Sequence, residues 1–223
     1  MTVPLRLVRE RIGPMENNQY IIADTESRLF WMVDPAWEAE TLYDRTLKDG
    51  FSLSGILLTH AHFDHMNAVP AILRRRDVPV YAQKSEVEFM KSGVPRELFP
   101  NLPISSFKFL SPGDRLSLGS VTASFLHTPG HTPGSQCIRV GDNLISGDTL
   151  FLEGCGRTDL PGGDPKAMFE SLAVLAKLPG SERVHPGHAY SEPEASNRLE
   201  DLLRTNRQLK SRSLDEFLKL TGY

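Results

Sequence analysis

The sequence has few cysteines, no surplus of positive charge and no long apolar run. Cys137 and Cys155 are the only two cysteines among 223 residues, too few for the disulfide framework of a small secreted domain. Lys and Arg number 25 against 28 Asp and Glu, a net charge of −3, which argues against nucleic acid as the main partner. No stretch approaches the roughly 18 apolar residues that span a membrane, and residues 1–14 lack a signal-peptide pattern. We therefore expect a cytoplasmic protein without a nucleic-acid or membrane partner.

The composition and the order of elements predict an α/β protein. Hydrophobic residues make up 39% of the chain and charged residues 24%, as in soluble globular proteins. Short apolar strand patterns alternate with helical patterns in both halves, an order compatible with two sheets packed face to face and helices outside. Asp34 followed by a proline predicts the start of a helix that runs to about residue 48. Further helices are predicted at residues 67–76 and from residue 164 to about residue 177, strands at residues 107–110 and 136–140, and an irregular loop at residues 93–103. We expect one domain over residues 1–193 and a helical tail over residues 194–223.

Four potential metal ligands lie within six residues, directly after an apolar strand. They are His60, His62, Asp64 and His65. Side chains two apart in an extended chain point the same way, so His60 and His62 are placed to reach one ion. Asp64 and His65 lie beyond a bend and are placed to reach a second ion. Imidazole and carboxylate are common zinc ligands, so this cluster predicts a metal site.

Three further residues occupy similar positions later in the chain. His131, Asp148 and His188 each follow an apolar strand and stand next to a glycine, where the backbone can pass close to an ion. Taken singly, the histidines are more simply turn residues and Asp148 a helix cap. Taken with the first cluster, they complete two metal sites.

The order His-x-His-x-Asp-His, then a lone histidine, an aspartate and a final histidine, resembles the signature of the metallo-β-lactamase superfamily. The similarity runs from about residue 19 to residue 188 and is greatest to hydroxyacylglutathione hydrolases (glyoxalase II), as in Ser-Gly-Asp-Thr at residues 146–149 and Pro-Gly-His at residues 186–188. It implies a four-layer αββα sandwich of two mixed sheets. The implied ligands are His60, His62 and His131 for the first metal, Asp64, His65 and His188 for the second, and Asp148 as a bridge between them.

The same resemblance implies an activity. It points to two zinc ions (with iron or manganese as alternatives) and a metal-bridging hydroxide that cleaves an acyl thioester, such as an S-acyl glutathione. Asp64 and Asp148 would then serve the chemistry as well as the metals. Arg157 and Tyr190 align with residues that contact glutathione in that family, although a structural loop arginine and a packed aromatic are the simpler interpretations. The implied partner is a small-molecule ester or thioester, and the oligomeric state is left open.

The sequence also departs from that family and leaves alternatives open. Few residues follow His188, so the long glutathione-binding helical domain of glyoxalase II is not expected, and the basic residues at positions 204–212 are interpreted as the solvated face of an amphipathic helix. Residues 154–159 also resemble the glutathione persulfide dioxygenases, which implies as an alternative a single iron held by His60, His131 and Asp148. A lactonase or other ester hydrolase, and a non-catalytic metal-containing effector, are the remaining alternatives.

Overall fold

The structure, a computed structural model, describes residues 4–92, 104–188 and 196–222. The irregular loop expected at residues 93–103 and the proposed substrate residue Tyr190 lie outside these ranges. The strands are β1 (Leu5–Ile12), β2 (Asn17–Asp24), β3 (Leu29–Val33), β4 (Ser52–Leu57), β5 (Val80–Gln83), β6 (Phe107–Leu110), β7 (Arg115–Leu118), β8 (Val121–His127), β9 (Gln136–Val140), β10 (Asn143–Gly147), β11 (Arg183–Pro186) and β12 (Asn197–Arg198). The helices are α1 (Ala39–Lys48), α2 (Phe63–Met66), α3 (Val69–Arg75), α4 (Lys84–Lys91), α5 (Pro165–Leu175), α6 (Leu199–Thr205) and α7 (Leu214–Thr221).

The strands form two mixed sheets of six strands each. The first sheet has the order β1-β2-β3-β4-β5-β6, in which β1 to β3 are antiparallel and β3 to β6 are parallel. The second has the order β12-β11-β10-β9-β8-β7, with a single parallel pair, β10 and β11. Both sheets therefore follow chain order from one edge to the other.

Alternation along the strands creates three apolar layers. In β2, Ile21 faces a core shared with α1 and α3, whereas the next residue, Ile22, faces a second core between the two sheets. In the second sheet, Ile138 faces the inter-sheet core, and Cys137 faces a third core built with α5, α6 and α7. Because successive side chains of a strand point to opposite faces, each sheet is covered on both sides. The expected four-layer αββα sandwich is confirmed.

The structure corrects the prediction at the start of the first helix. Helix α1 begins at Ala39 rather than at residue 35, and Asp34 is not its N-cap. The Asp34 carboxylate instead accepts hydrogen bonds from the Thr59 backbone N–H (2.7 Å) and the Thr59 hydroxyl (2.5 Å). A buried carboxylate at a strand end is stabilised by such donors, so Asp34 serves the neighbouring loop and not the helix.

The strand β1 and the division of one helix were not predicted. Residues 67–76 were expected to form a single helix, whereas the chain forms α2 and then α3, which begins at Val69 with a proline in its first turn. Proline suits that position because its missing N–H would have no partner there. Strand β1 contains four charged and four apolar residues and pairs only with β2, as expected of an edge strand. None of the helices in the described part of the chain is long and apolar enough to cross a membrane.

The N-cap of α5 offers a direct test of the local sequence rules. The Asp164 carboxylate accepts hydrogen bonds from the backbone N–H groups of Lys166 (2.9 Å) and Ala167 (3.0 Å). Asp164→Ala should lower the free energy of unfolding by about 1 kcal/mol, because two N–H groups of the first turn lose their acceptor. Urea denaturation measures the loss. Asp164→Asn should keep most of the stability, and equal losses in both variants would contradict a capping role.

Candidate metal centre

All seven predicted ligands follow the ends of strands of the two sheets, in loops or, for Asp64 and His65, in the short helix α2. His60, His62, Asp64 and His65 follow β4, His131 follows β8, Asp148 follows β10 and His188 follows β11. An isolated pairing between Asn17 and His188, and a hydrogen bond from the Asn18 N–H to the Gly187 carbonyl oxygen (2.7 Å), join the ends of the two sheets. The site therefore lies where the two sheets meet.

The first group of ligands is formed by three histidines. One ring nitrogen from each of His60, His62 and His131 lies within 4.8 Å of the other two. The ring centroids of His62 and His131 are 4.5 Å apart, and those of His60 and His131 are 4.8 Å apart. Three imidazoles that converge in this way can hold one cation.

The second group joins two histidines and a carboxylate. Asp64, His65 and His188 place one ligand atom each within 4.8 Å of one another. The Nε2 atoms of His65 and His188 are 3.1 Å apart, and Asp64 Oδ2 is 3.3 Å from His188 Nε2. Two nitrogen lone pairs at this separation repel unless a proton or a cation lies between them.

The Asp148 carboxylate lies between the two groups. Its Oδ2 is 3.6 Å from His131 Nε2 in the first group and 3.4 Å from His188 Nε2 in the second, and its Oδ1 is 3.4 Å from His65 Nε2. The carboxylate is nearly inaccessible to solvent. This position is the one that a ligand shared by two ions would occupy.

Hydrogen bonds on the outer side of the rings fix which nitrogen faces the site. The Thr59 hydroxyl gives its single proton to Asp34, so it accepts from His60 Nδ1 (3.1 Å). His131 Nδ1 donates to the Arg157 carbonyl oxygen (2.7 Å), and His188 Nδ1 donates to that of Met15 (2.9 Å). Each of these rings therefore directs its Nε2 inward, the arrangement found in metal-binding histidines.

Several inward-facing atoms are buried without a hydrogen-bond partner. They are His60 Nε2, His131 Nε2 and Asp148 Oδ1. A buried polar atom without a partner costs roughly 1–3 kcal/mol, so three around one space indicate a missing polar group. Ligand atoms about 2.0–2.1 Å from a tetrahedral zinc ion lie about 3.3 Å apart, close to the 3.3 Å and 3.4 Å spacings around Asp64, Asp148 and the histidines. The residues present therefore fit a pair of divalent ions.

The charges of the two groups differ in the metal-free protein. Burial lowers the pKa of His62 to about 4, helped by the neighbouring His131. Burial also acts to lower the pKa of His65, but the carboxylates of Asp148 and Asp64 outweigh it and raise that pKa to about 9. The Asp148 carboxyl has a pKa well below its usual range because the attraction of the histidines overcomes burial. The first group is therefore neutral imidazole, ready to bind a cation, and the second holds protons that a cation would displace.

A strained turn at residues 34–37 supports the second group. Asp34 and Trp37 both have a φ of +49°, a left-handed conformation that is rare for an aromatic residue and costs of order 1–3 kcal/mol. The Asn67 side chain holds the turn by accepting from the Trp37 backbone N–H (2.5 Å). From one end of the turn, Asp34 accepts from His65 Nδ1 (3.0 Å).

From its other end, the same turn reaches Asp64 through an amide. The Trp37 indole N–H donates to Asn17 Oδ1 (2.9 Å), and Asn17 Nδ2 donates to Asp64 Oδ2 (2.9 Å). The indole donor decides the orientation of the Asn17 amide, because it leaves only the NH₂ group to face Asp64. We call this chain of hydrogen bonds the Trp37–Asn17–Asp64 relay.

A buried glutamate joins the loops that carry the first group. Glu86 is inaccessible to solvent, and its carboxylate accepts from the Ala61 N–H (2.7 Å), the Thr132 hydroxyl (2.8 Å) and the Gly134 N–H (2.8 Å). Ala61 lies between His60 and His62, and Thr132 follows His131. Glu86 therefore fixes the distance between the two loops, although burial raises its pKa.

Two glycines allow the backbone to pass next to the ligands. A side chain on Gly187 would clash with Asp148 Oδ1 and crowd the His65 ring. One on Gly156 would clash with the Asp148 carbonyl oxygen and approach His131 Nδ1. Substitution of either glycine would therefore displace a candidate ligand.

The remaining expectations have different outcomes. The Arg157 guanidinium forms a two-point ion pair with Asp159 (2.9 and 2.7 Å) at the surface. The backbone of Arg157 contacts the site, because its carbonyl oxygen accepts from His131 Nδ1. His127 Nε2 donates to the Pro133 carbonyl oxygen (2.9 Å), and His185 Nε2 donates to Asn143 Oδ1 (2.8 Å); neither belongs to a ligand group. Burial raises the pKa of the Cys155 thiol to about 12, which makes it unreactive.

Sequence reasoning missed the supporting residues Asp34, Asn17 and Glu86. Asp34 had a signal, since it follows an apolar strand just as Asp148 does, but the adjacent proline favoured a helix cap. Asn17 and Glu86 carry no local signal, because their partners lie between 20 and 48 residues away in sequence. Asp34 also lies near His60 and His65, but its oxygens are already occupied by Thr59 and His65, so it supports the site and is not a candidate ligand.

Comparison with known proteins identifies related families. The model of the metallo-beta-lactamase superfamily matches residues 12–188. A probable polyketide biosynthesis zinc-dependent hydrolase, BaeB of Bacillus velezensis, is 34% identical over 191 residues, which are 85% of this chain and 80% of that protein. A hydroxyacylglutathione hydrolase of Hahella chejuensis is 35% identical over 184 residues, which are 80% of this chain and 64% of that protein.

Solved structures agree with the fold. The crystal structure of ETHE1 from Myxococcus xanthus has a TM-score of 0.82 and 25% identity, and the match covers 97% of this chain and 90% of that one. The structure of TTHA1623 in a di-iron-bound form has a TM-score of 0.74 and 35% identity, covering 89% of this chain and 98% of that one. Related chains therefore include both a zinc-dependent hydrolase by name and a di-iron form.

Replacement of Glu86 tests the link between the two loops. Glu86→Ala should lower the free energy of unfolding by about 3 kcal/mol, because two backbone N–H groups and a hydroxyl lose their buried acceptor. Glu86→Gln keeps one acceptor oxygen and should lose less. Chemical denaturation of the metal-free protein measures both. The control is Glu88→Ala, on the exposed side of the same helix, and a Glu86→Ala protein as stable as this control would contradict the linking role.

Proposed function

Because the chain belongs to the metallo-beta-lactamase superfamily and is a metal-dependent hydrolase of that superfamily, we propose that it holds two divalent ions and cleaves an acyl thioester. The observation that supports this most is the Asp148 carboxylate, which lies 3.6 Å from His131 Nε2 and 3.4 Å from His188 Nε2. A ligand in contact with both histidine groups favours two ions over one. The zinc-dependent and hydroxyacylglutathione hydrolases among the relatives favour hydrolysis.

Seven residues would hold the ions in this proposal. His60, His62 and His131 would hold the first, Asp64, His65 and His188 the second, and Asp148 both. Two bound divalent ions would lower the pKa of a water molecule towards neutrality and stabilise the negative charge that develops on the carbonyl oxygen. Zinc is the ion that best suits this mixture of imidazole and carboxylate, with iron as the alternative.

The protein's own residues fix which nitrogen of each ring faces the ions. Thr59, Asp34, and the carbonyl oxygens of residues 15 and 157 accept the Nδ1 protons, so Nε2 is the nitrogen that each held ring presents to an ion. The relay through Asn17 keeps one oxygen of Asp64 directed at the site. These contacts order the side chains when the protein folds, so the site is preorganised before substrate binds.

The chemistry of the leaving group favours a thioester over an amide or ordinary ester. Among the described residues, the acidic and histidine side chains that converge at the site are the seven candidate ligands and Asp34, and Asp34 already accepts hydrogen bonds from Thr59 and His65. No separate acid is therefore placed there to protonate a leaving group. A thiolate, with a conjugate acid pKa of about 8.5, leaves without one, whereas an amine or alkoxide does not.

Hydrolysis of defined thioesters tests the proposal. The zinc-loaded protein should release free thiol from S-acyl thioesters, measured with a thiol reagent, with no consumption of oxygen. Lactones and glutathione persulfide serve as parallel substrates. Oxygen uptake with the persulfide by a protein that holds one iron would overturn the hydrolase in favour of a dioxygenase, and turnover of lactones alone would overturn the thioester.

Asp148→Ala tests the bridging role. The variant should bind fewer than two ions per chain and lose at least about a hundredfold in kcat, because replacement of even an outer supporting group costs about 10–100-fold. Metal analysis after dialysis and a steady-state assay provide the two readouts. Full metal content with normal turnover would refute the role.

The Trp37–Asn17–Asp64 relay predicts a selective effect on the second ion. Trp37→Phe keeps an aromatic ring but removes the indole N–H, so the Asn17 amide loses its fixed orientation. We expect about tenfold weaker binding of one of the two ions and unchanged binding of the other, measured by competition with a chelator. Trp31→Phe in the inter-sheet core is the matched control, and equal weakening in both variants would exclude a specific relay.

A further inference from the structure

The basic residues of the C-terminal segment surround one cavity instead of sharing a helix face. Arg204 lies in α6, Arg207 and Lys210 lie in the connection that follows, and Arg212 precedes α7. All four line a cavity of about 930 Å³, which we call the basic cavity. The expectation of a solvated amphipathic helix was wrong, because residues 206–213 interrupt the helix and turn these side chains toward a common space.

The basic cavity carries positive charge that its own walls do not neutralise. Glu216 is the single acidic residue among the described residues of its lining, and its carboxylate accepts from the Arg212 backbone N–H (2.8 Å). Arg204 is 3.2 Å from Asp201, outside the lining. Within the described ranges, the guanidinium groups of Arg207 and Arg212 have no carboxylate within ion-pair distance. In a protein with a net charge of −3, this concentration of cations favours an anionic ligand.

A buried asparagine ties the basic cavity to the wall of the metal centre. Asn206 Nδ2 donates to the carbonyl oxygens of Phe151 (3.0 Å) and Gly154 (2.9 Å), and Asn206 Oδ1 accepts from the Leu209 N–H (2.9 Å). The ring centroid of Phe151 lies 6.1 Å from that of His188. Arg207 follows Asn206 directly in the chain, so Asn206 and Phe151 connect this arginine of the basic cavity to the candidate ligand His188.

A second cavity adjoins the basic cavity at Arg207. It has a volume of about 420 Å³ and is lined by Arg207, which it shares with the basic cavity, and by Leu152 and Glu153. These two residues follow Phe151 in the chain. The two cavities therefore adjoin at Arg207, and the second one reaches the loop that contacts the metal centre through Phe151.

We propose that the basic cavity binds the phosphate of a phosphopantetheine thiol whose acyl thioester is placed at the metal centre. This inference rests on the proposed thioester hydrolysis and names its substrate class. A phosphate offers several acceptor oxygens and up to two negative charges, which match the forked donors of two arginines. The basic cavity is set apart from the ligands by the 151–154 loop, so its anion must stand at a distance from the thioester, as the phosphate of this thiol does.

The same chemistry has two sources. The phosphopantetheine belongs either to a free coenzyme A thioester or to an arm attached to a carrier protein. Both present a phosphate at the end of the arm remote from sulfur. The basic cavity would bind that phosphate in either case, and an experiment that compares the two substrates distinguishes the sources.

A matched pair of substrates tests the inference. The metal-loaded protein is assayed with acetyl-phosphopantetheine and with acetyl-pantetheine, which differ only in the phosphate. The double variant Arg207→Gln, Arg212→Gln should lose about tenfold or more in kcat/KM for the phosphorylated substrate, through KM, and little for the other. The control is Arg74→Gln, Arg76→Gln, which removes the same charge from the exposed end of α3 and should affect neither substrate.

Further measurements separate the outcomes. Calorimetry with coenzyme A in its free thiol form should detect binding to the native chain that weakens in the double variant and at high salt, whether or not any thioester is hydrolysed. Equal loss on both substrates, or no loss, would overturn the basic cavity as a phosphate site. Hydrolysis of acetyl-pantetheine in that case would leave the proposed function standing. Acetyl-coenzyme A and an acetylated carrier protein, compared at equal concentration, identify the source by their kcat/KM.

Discussion

A carboxylate buried among imidazoles sets the conditions for the rest of the structure. The Asp148 side chain lies within 3.4–3.6 Å of histidines from both groups and is almost wholly removed from water. A charge in that position is tolerated only when it is paired or when it coordinates a metal ion. The backbone of Gly187 passes so close to the carboxylate that a side chain there would clash with Asp148 Oδ1. In the metal-free protein the protonated histidines of the second group balance the carboxylate charges, and a pair of cations would take their place.

The cost of holding this arrangement is met by contacts outside it. The turn at residues 34–37 keeps two residues in the left-handed conformation, and its two ends reach His65 and, through Asn17, Asp64. Glu86 supports the loops of the first group by accepting hydrogen bonds from both of them. Sites with strain of this kind persist only when the surrounding structure over-determines them. The sandwich supplies that support, since both sheets deliver loops to the same edge.

Much of this arrangement could be predicted from the sequence, and the limits have physical causes. Strands such as β6 and β9, and the capped helix α5, follow from local alternation and turn residues and were predicted within a residue or two. The proximity of His131 to His60 does not follow from local rules, because it depends on how two sheets pack; the resemblance to a family supplied it. Asp34 was misinterpreted because a proline after a carboxylate has the same local pattern as a helix start. The cavity around Arg207 could not be predicted, because residues 206–213 continue the polar and apolar spacing of a helix. The helix ends there because the Asn206 side chain is held by the carbonyl oxygens of residues 151 and 154, a contact that local sequence does not show.

One loop connects the metal centre to the segment proposed to bind the thiol of the substrate. The loop at residues 151–154 contacts His188 through Phe151 and is held by Asn206, the residue before Arg207, so it links the metal centre to the chain segment that lines the basic cavity. In the proposed function the two regions have separate tasks, since one group of residues holds the ions and the other selects the thiol by its phosphate. A substrate that spans both would be oriented before its carbonyl carbon reaches the ions.

The most direct test of the central claim is a stepwise reconstitution of the metal-free protein with zinc, in which thioester hydrolysis is measured after each addition. If Asp148 joins two ions into one working site, activity should stay low through the first equivalent and rise with the second, reaching its maximum at two per chain. Full activity at one equivalent, with no further change at the second, would contradict the account.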